Sequence, residues 1–330
     1  MTQSWFSEPQ VAVRVDASAP EIIHVTGNDR VAFLHRMLTN NVESIAVGRG
    51  CSAILLTAKG QVVALMQVLV EAKAVGLLVP GGTGEAVLTA LAHFAVMDDV
   101  TFELECATTL AIMGPRAVDA FAAAGATFPP EFAESQPLSH LRADGVWYIK
   151  TQAFGTTGVW AIGASDAVAT LSTKLDLAGV PMLPAAEGEA ARIAAQEPRH
   201  GFEYCSEIAG ERFPMEVGLE GAIDYGKGCY PGQEPIVRIR DRGKVNWRLG
   251  RLRFSAGAAL LAPGAVLSTS EREAAGRVTS SAMWQGAAGA SPYPIALALL
   301  HASVADGASV NVASDGGNVT AQVLAPGDPA

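Results

Sequence analysis

Up to about residue 245 this chain alternates strand-like and helix-like segments without the regular strand–helix–strand rhythm of a parallel sheet. Past Trp247 the helical spacing stops altogether. Residues 249–254, 265–268, 276–280, 295–302 and 309–312 are short apolar runs punctuated by Gly, Pro and Ser. Such spacing predicts a small β-barrel or sandwich as a C-terminal unit. At 330 residues the chain also exceeds what one core organises, roughly 250–300 residues. The predicted fold class is α+β, with residues 1–245 as the larger region and residues 246–330 as a small all-β barrel or sandwich domain.

Within the larger region, residues 21–25 read as a strand ending at Gly27. Asn28 or Asp29 can cap a helix in which Val31, Leu34 and Leu38 recur at helical spacing. His35 on that helix reads as solvated, because no second metal ligand is near. Residues 52–57 and 61–70 form a hairpin around Ala58-Lys59-Gly60. The run 75–79 leads into Pro80-Gly81-Gly82-Thr83-Gly84 and a helix extending to residue 96. That glycine cluster lacks the Gly-Lys-Ser/Thr ending of a phosphate loop, so Thr83 reads as a helix cap. Pro115 opens an alanine-rich helix over 117–124, closed by Gly125. A hairpin over 146–162 and a helix over 167–177 follow.

A net charge of −10 argues against nucleic acid as a partner. No apolar run approaches the roughly 18 residues of a membrane span, and residues 1–8 lack the character of a secretory signal. The expectation is a cytoplasmic protein with no membrane partner. The four cysteines show no zinc spacing, so no metal site is expected. Cys51, Cys106 and Cys205 read as inert packing residues. Cys229, beside Lys227 and among glycines, reads as an exposed, activated thiol. Neither a Gly-x-Ser-x-Gly elbow nor a His-Glu-x-x-His motif is present, which removes the common hydrolase classes.

The segment Lys227-Gly228-Cys229-Tyr230-Pro231-Gly232-Gln233-Glu234 concentrates a thiol, an amine, an amide and a carboxylate between glycines. Packing alone does not ask for that combination, so it reads as a site, with an ordinary turn as the alternative. Residues 236–242 alternate apolar and charged side chains. As a strand they would place Arg238, Arg240 and Arg242 on one face, either an anion site or a solvated surface. An arginine fork suits the carboxylate of a small molecule. Glu216 sits in an otherwise apolar stretch, where it can pair with an amino-pyrimidine edge or form an internal salt bridge.

In order along the chain, Thr26-Gly27-Asn28-Asp29-Arg30, Leu55-Leu56-x-x-Lys59-Gly60, Arg192-Ile193, Pro198-Arg199-x-Gly201, Pro214-x-Glu216, the 227–234 segment and Arg242-Gly243-x-Val245-Asn246 resemble the YgfZ family. Its members are folate-binding relatives of the glycine-cleavage aminomethyltransferase, or T-protein. The resemblance implies a two-lobed, T-protein-like folate-binding region with a C-terminal β-barrel around a central opening. It also implies tetrahydrofolate as ligand and a role in assembly or maintenance of iron–sulfur clusters, with assembly factors or client enzymes as partners. Glu216 would hold the pterin, and Lys227, Gly228, Tyr230, Gly232, Gln233, Glu234, Arg238 and Arg240 would complete the folate site. Cys229 would be the functional thiol. The alternative is a folate-dependent aminomethyl- or methyltransferase. Three departures weigh against transfer more than against folate binding: residues 79–85 offer only Glu85 as a base, Leu65 stands where relatives often carry aspartate, and Gln196 replaces a frequent glycine.

Overall fold

The computed structural model describes residues 12–15, 19–285, 291–314 and 317–329. Residues 1–8, read above as lacking a signal sequence, lie outside them. After a short strand β1 (Val13–Val15), the chain enters β2 (Glu21–Thr26), helix α1 (Arg30–Met37), β3 (Arg49–Leu56), β4 (Val62–Val70), β5 (Val75–Val79), helix α2 (Gly84–Ala92) and β6 (Thr101–Cys106). Strands β2 to β6 form an antiparallel sheet in the order β3-β4-β5-β2-β6. Helix α1 closes one side, because Phe33, Leu34 and Met37 fall at helical spacing and pack on Ile23, Met66 and Leu77.

Next come β7 (Thr108–Met113), α3 (Ala117–Ala123), β8 (His140–Ala143), β9 (Val146–Ala153), β10 (Thr156–Gly163), α4 (Ser165–Leu177) and α5 (Ala185–Ala194). The second sheet has the order β1-β7-β10-β9-β8, covered by α3 and α4 through Phe121, Leu171 and Leu175. Ile22, Leu69 and Leu78 of the first sheet pack against Trp147, Ile149 and Ile162 of the second. The approach is close enough that a Cβ on Gly76 would lie 2.0 Å from the Trp147 ring. Two α+β lobes thus share one apolar seam.

The helix α6 (Gln233–Arg242) leads to a closed barrel of β11 (Trp247–Phe254), β12 (Val266–Ser268), β13 (Gly276–Trp284), β14 (Tyr293–His301), β15 (Ser309–Ser314) and β16 (Gly317–Leu324). Strand β14 reads as a continuous apolar run because both of its faces are covered. Ala296, Ala298 and Leu300 fill the barrel interior, while Ile295 and Leu297 meet Ala190 and Ile193 of α5. The sixth strand, β16, carries Asn318, Thr320 and Gln322 on alternate positions, a polar set that hid it among loop residues.

Four local expectations need correction. Residues 236–242 are helical, since a seven-residue alternation fits either period and Gly232 at φ 79° starts a helix in which Ile236 is fully buried. The second helix ends at Ala92, leaving Val96 and Met97 exposed. The His35 side chain is only 15% exposed, beside Glu43 at 4.0 Å, and is not solvated. Cys106 is exposed at the end of β6, whereas Cys51 and Cys205 are partly buried. Among the described residues no helix is long and apolar enough to cross a membrane.

Candidate functional site

The 227–234 segment is a joint whose anchors are buried and whose thiol is not. Lys227 lies beneath it, 8% exposed, and its Nζ donates to the carbonyls of His35 and Leu38 (2.6 Å) at the end of α1. Burial pushes its ammonium down to about 8. Those carbonyls are the acceptors that a helix end leaves without partners, so the lysine acts as a cap from another part of the chain. Tyr230 is 6% exposed and packs with Ile54, Val62 and Ile236 under the ammonium, 5.1 Å from its ring. Gly232 touches the β3–β4 hairpin: a Cβ there would come 2.3 Å from the Thr57 carbonyl oxygen. Between these anchors Gly228 and Cys229 are exposed, with open space where a Gly228 side chain would stand.

Gln233 and Glu234 form the first turn of α6. Glu234 pairs with Arg238 at 2.7 Å, and both side chains are largely in solvent. Arg240 pairs with its neighbour Asp241 and stacks over Tyr225 at 4.6 Å. The helix therefore turns Arg240 away from Arg238, and these two arginines each have a carboxylate already. Glu216 lies in a 3-10 turn (Pro214–Val217), 6% exposed. Its carboxylate accepts from Phe213 N at 3.2 Å and faces Arg212 at 3.9 Å, while burial raises its pKa.

None of these residues lines the cavity of about 510 Å³ between the sheets. Its walls are Leu65, Leu78, Trp160 and Tyr204, with Gln67, Thr109, Arg199 and His200 as polar groups. No Asp or Glu is among its lining residues. Glu85 is exposed on α2, and the other carboxylate at the 79–85 turn, Glu21, accepts from the Gly84 amide at 2.6 Å. A second chamber of about 620 Å³ adjoins the first, sharing Trp160, Pro198 and Arg199.

Arg199 is the charged group common to both spaces. Its guanidinium stacks on Phe202 at 3.8 Å and donates to Glu189 at 3.3 Å. Glu189 also receives both Nε and Nη2 of Arg192, at 3.0 and 2.7 Å. Behind them Glu203, fully buried, accepts from Arg199 N (2.8 Å), Arg192 Nη1 (3.1 Å), Thr279 Oγ1 (2.9 Å) and Ser280 Oγ (2.6 Å). Such a carboxylate has its lone pairs satisfied and locks the loop after α5 onto the barrel. Gln196 stands at φ 58°, a left-handed position that suits glycine, and its side chain fastens to the Leu249 carbonyl at 2.7 Å. The Pro198-Arg199-x-Gly201 pattern marked this loop in the sequence, but nothing in it indicated that Arg199 would reach the cavities.

No family model matches the chain. It is 26% identical over 284 residues, 81% of its length, to a chloroplastic protein of Arabidopsis thaliana named as a transferase. To an aminomethyltransferase of Chromobacterium violaceum it is 25% identical over 216 residues, 64% of its length. These alignments cover 61% and 58% of the two relatives, so the chain spans about three fifths of the length of each. The crystal structure of the glycine cleavage system aminomethyltransferase T from Bartonella henselae superposes with a TM-score of 0.81 at 19% identity, covering 95% of this chain and 85% of that one. The chain is homologous to proteins of the aminomethyltransferase type and has their fold: mixed α/β lobes with a closed six-stranded C-terminal barrel.

Proposed function

We propose that this protein binds a tetrahydrofolate in the space between its lobes and serves, as an accessory factor in the cytoplasm, the assembly or maintenance of iron–sulfur clusters in partner enzymes. The observation that carries this reading is a division of labour. The 510 Å³ cavity has apolar and aromatic walls, a few polar groups and no carboxylate, whereas Cys229 stands exposed on an anchored loop. A cavity of that volume and lining suits a flat heterocycle. Aminomethyl transfer calls for a base near the ligand, and Leu65 on this wall supplies none. The exposed thiol can meet a partner protein or a cluster that the partner carries. Among the described residues no group of three or more His, Cys, Asp or Glu is placed to hold a metal ion, so the cluster in this reading is cargo held with the partner.

Two sets of contacts compete for the pterin. One is Glu216 with Lys227, Gly228, Tyr230, Gly232, Gln233, Glu234, Arg238 and Arg240, as the sequence suggested. The other is Gln67, Arg199 and His200 on the cavity wall. Calorimetric titration of tetrahydrofolate, with the thiols reduced, decides between them. Micromolar binding weakened tenfold or more by Glu216→Gln assigns the first set; the same loss in Arg199→Gln assigns the second. No binding by the folded wild type removes the folate reading. Cys229→Ser is the parallel test of the thiol: unchanged activity of cluster-dependent enzymes in a strain living on that variant would end its role.

The name of the Chromobacterium violaceum relative favours a second reading, a folate-dependent aminomethyl- or methyltransferase. Steady one-carbon transfer from a glycine- or sarcosine-derived donor would establish it.

A further inference from the structure

The 620 Å³ chamber has what the first cavity lacks, a carboxylate with no cation of its own. Arg192 and Arg199 face it together with Glu189 and Glu197. The two guanidiniums are already balanced. Glu189 accepts two bonds from Arg192 and one from Arg199, and Glu203 accepts a further bond from Arg192. From the barrel side, Arg251 is spent on the carbonyls of Ala194, Ala325 and Asp328. Glu197 is the third carboxylate beside two cations. Its oxygens meet only the amide edge of the β9–β10 turn, with Gly155 N at 3.4 Å and Phe154 N as the second donor. Burial outweighs those bonds and the pull of Arg192, and the carboxyl is pushed up to about 7.

The same turn supplies the chamber's aromatic wall in an unusual way. Phe154 and Gly155 are the two central residues of the hairpin, at φ 55° and 72°. That geometry favours Asn, Asp or Gly at the first position, and a bulky residue there is strained. Phe154 nevertheless occupies it, packed against Met113 and Leu183, and lines the chamber with Trp160 and Glu197. Backbone strain retained beside a cavity is a common mark of a binding site.

We propose that this chamber binds a cation carried on an apolar or aromatic frame, a protonated amine or amidine, with Glu197 as its counter-ion and Phe154 and Trp160 as its aromatic walls. A carboxylate held by backbone amides with no cation bonded to it gains more from an arriving cation than any other group in the chamber. Aromatic faces add a further attraction for positive charge and none for an anion. The site does not rest on the folate reading.

Three probes of one shape test the charge preference on the full chain: benzamidine, benzamide and benzoate, titrated by calorimetry. Benzamidine should bind at least about tenfold more tightly than benzoate. Its affinity should rise about tenfold from pH 6 to pH 8, following the ionised fraction of a group that titrates near neutrality. Glu197→Gln should lose the pH dependence and about tenfold in affinity. Phe154→Asn, which gives the turn a residue it prefers, should fold normally and bind benzamidine more weakly. Equal binding of benzoate, or unchanged benzamidine affinity in either folded variant, would overturn the proposal. Failure of tetrahydrofolate to bind would leave this charge preference standing, and loss of the preference would leave the folate titration as it was.

Discussion

Lys227 caps a helix 189 residues before it: its Nζ donates to the Leu38 carbonyl at 2.6 Å and to that of His35, beneath an exposed loop that carries Cys229. The most basic group of the motif is thus spent inside the protein, and the thiol beside it is presented outside.

Replacing the ammonium while keeping the stem separates a latch from a ligand contact. Lys227→Met leaves two carbonyls at the end of α1 without their charged donor, which should cost about 2–3 kcal/mol. Denaturant unfolding monitored by far-ultraviolet circular dichroism should show the midpoint fall with the slope unchanged. A variant as stable as the wild type, but defective toward ligand, would assign the lysine to recognition.

Two glycines of the same segment should behave oppositely. At Gly232 (φ 79°) a methyl group would meet the Thr57 carbonyl at 2.3 Å, whereas at Gly228 it would meet nothing within 4 Å. Gly232→Ala should therefore destabilise by about 2 kcal/mol or more, and Gly228→Ala by less than about 0.5 kcal/mol. Melting temperatures of the two variants against wild type check this; similar shifts would mean that the hairpin and the segment do not meet as described.

Glu203 should be the least tolerant carboxylate of the chain. Glu203→Ala leaves the Arg199 amide and the Ser280 hydroxyl without their acceptor and takes one of two carboxylates from Arg192, which keeps Glu189; this should cost about 3 kcal/mol. Glu203→Gln keeps the shape and part of the bonding and should cost less. Thermal unfolding of both variants tests the order, and an equal loss in the two would assign the effect to charge alone.

The architecture was legible where periodicity is unambiguous. The 21–25 strand, the helix bearing Leu34, the 146–162 hairpin and five of the barrel strands all follow from spacing and turn residues. Residues 236–242 misled because an alternation of seven residues fits a strand as well as one face of a helix. What resolves them is Gly232 and the burial of Ile236 alone among its neighbours. The motif itself was visible as chemistry but not as geometry, since nothing local says that Lys227 ends under Leu38 or that Arg238 finds Glu234. Arg199 and Glu197 escaped for the opposite reason. Each is an ordinary loop residue until β10, α5 and the barrel enclose it.

Glu197 also makes a prediction about pH that needs no ligand. Its carboxyl rises from an ordinary 4.5 to about 7 in the folded chain, chiefly through burial. Between those values the folded protein holds a proton that the unfolded chain has released. Stability therefore falls as pH rises through that window, and the loss is complete above about pH 7. The chamber stays open to water, which leaves about 2 kcal/mol as the size of the effect. Glu197→Gln removes the titrating group while keeping an acceptor for the Gly155 amide. Relative to wild type, the variant should gain about that much stability at pH 8 and nearly nothing at pH 4.5. Urea midpoints measured at the two pH values give the comparison directly. A difference that is the same at both would show that Glu197 ionises in the folded chain as it does in water.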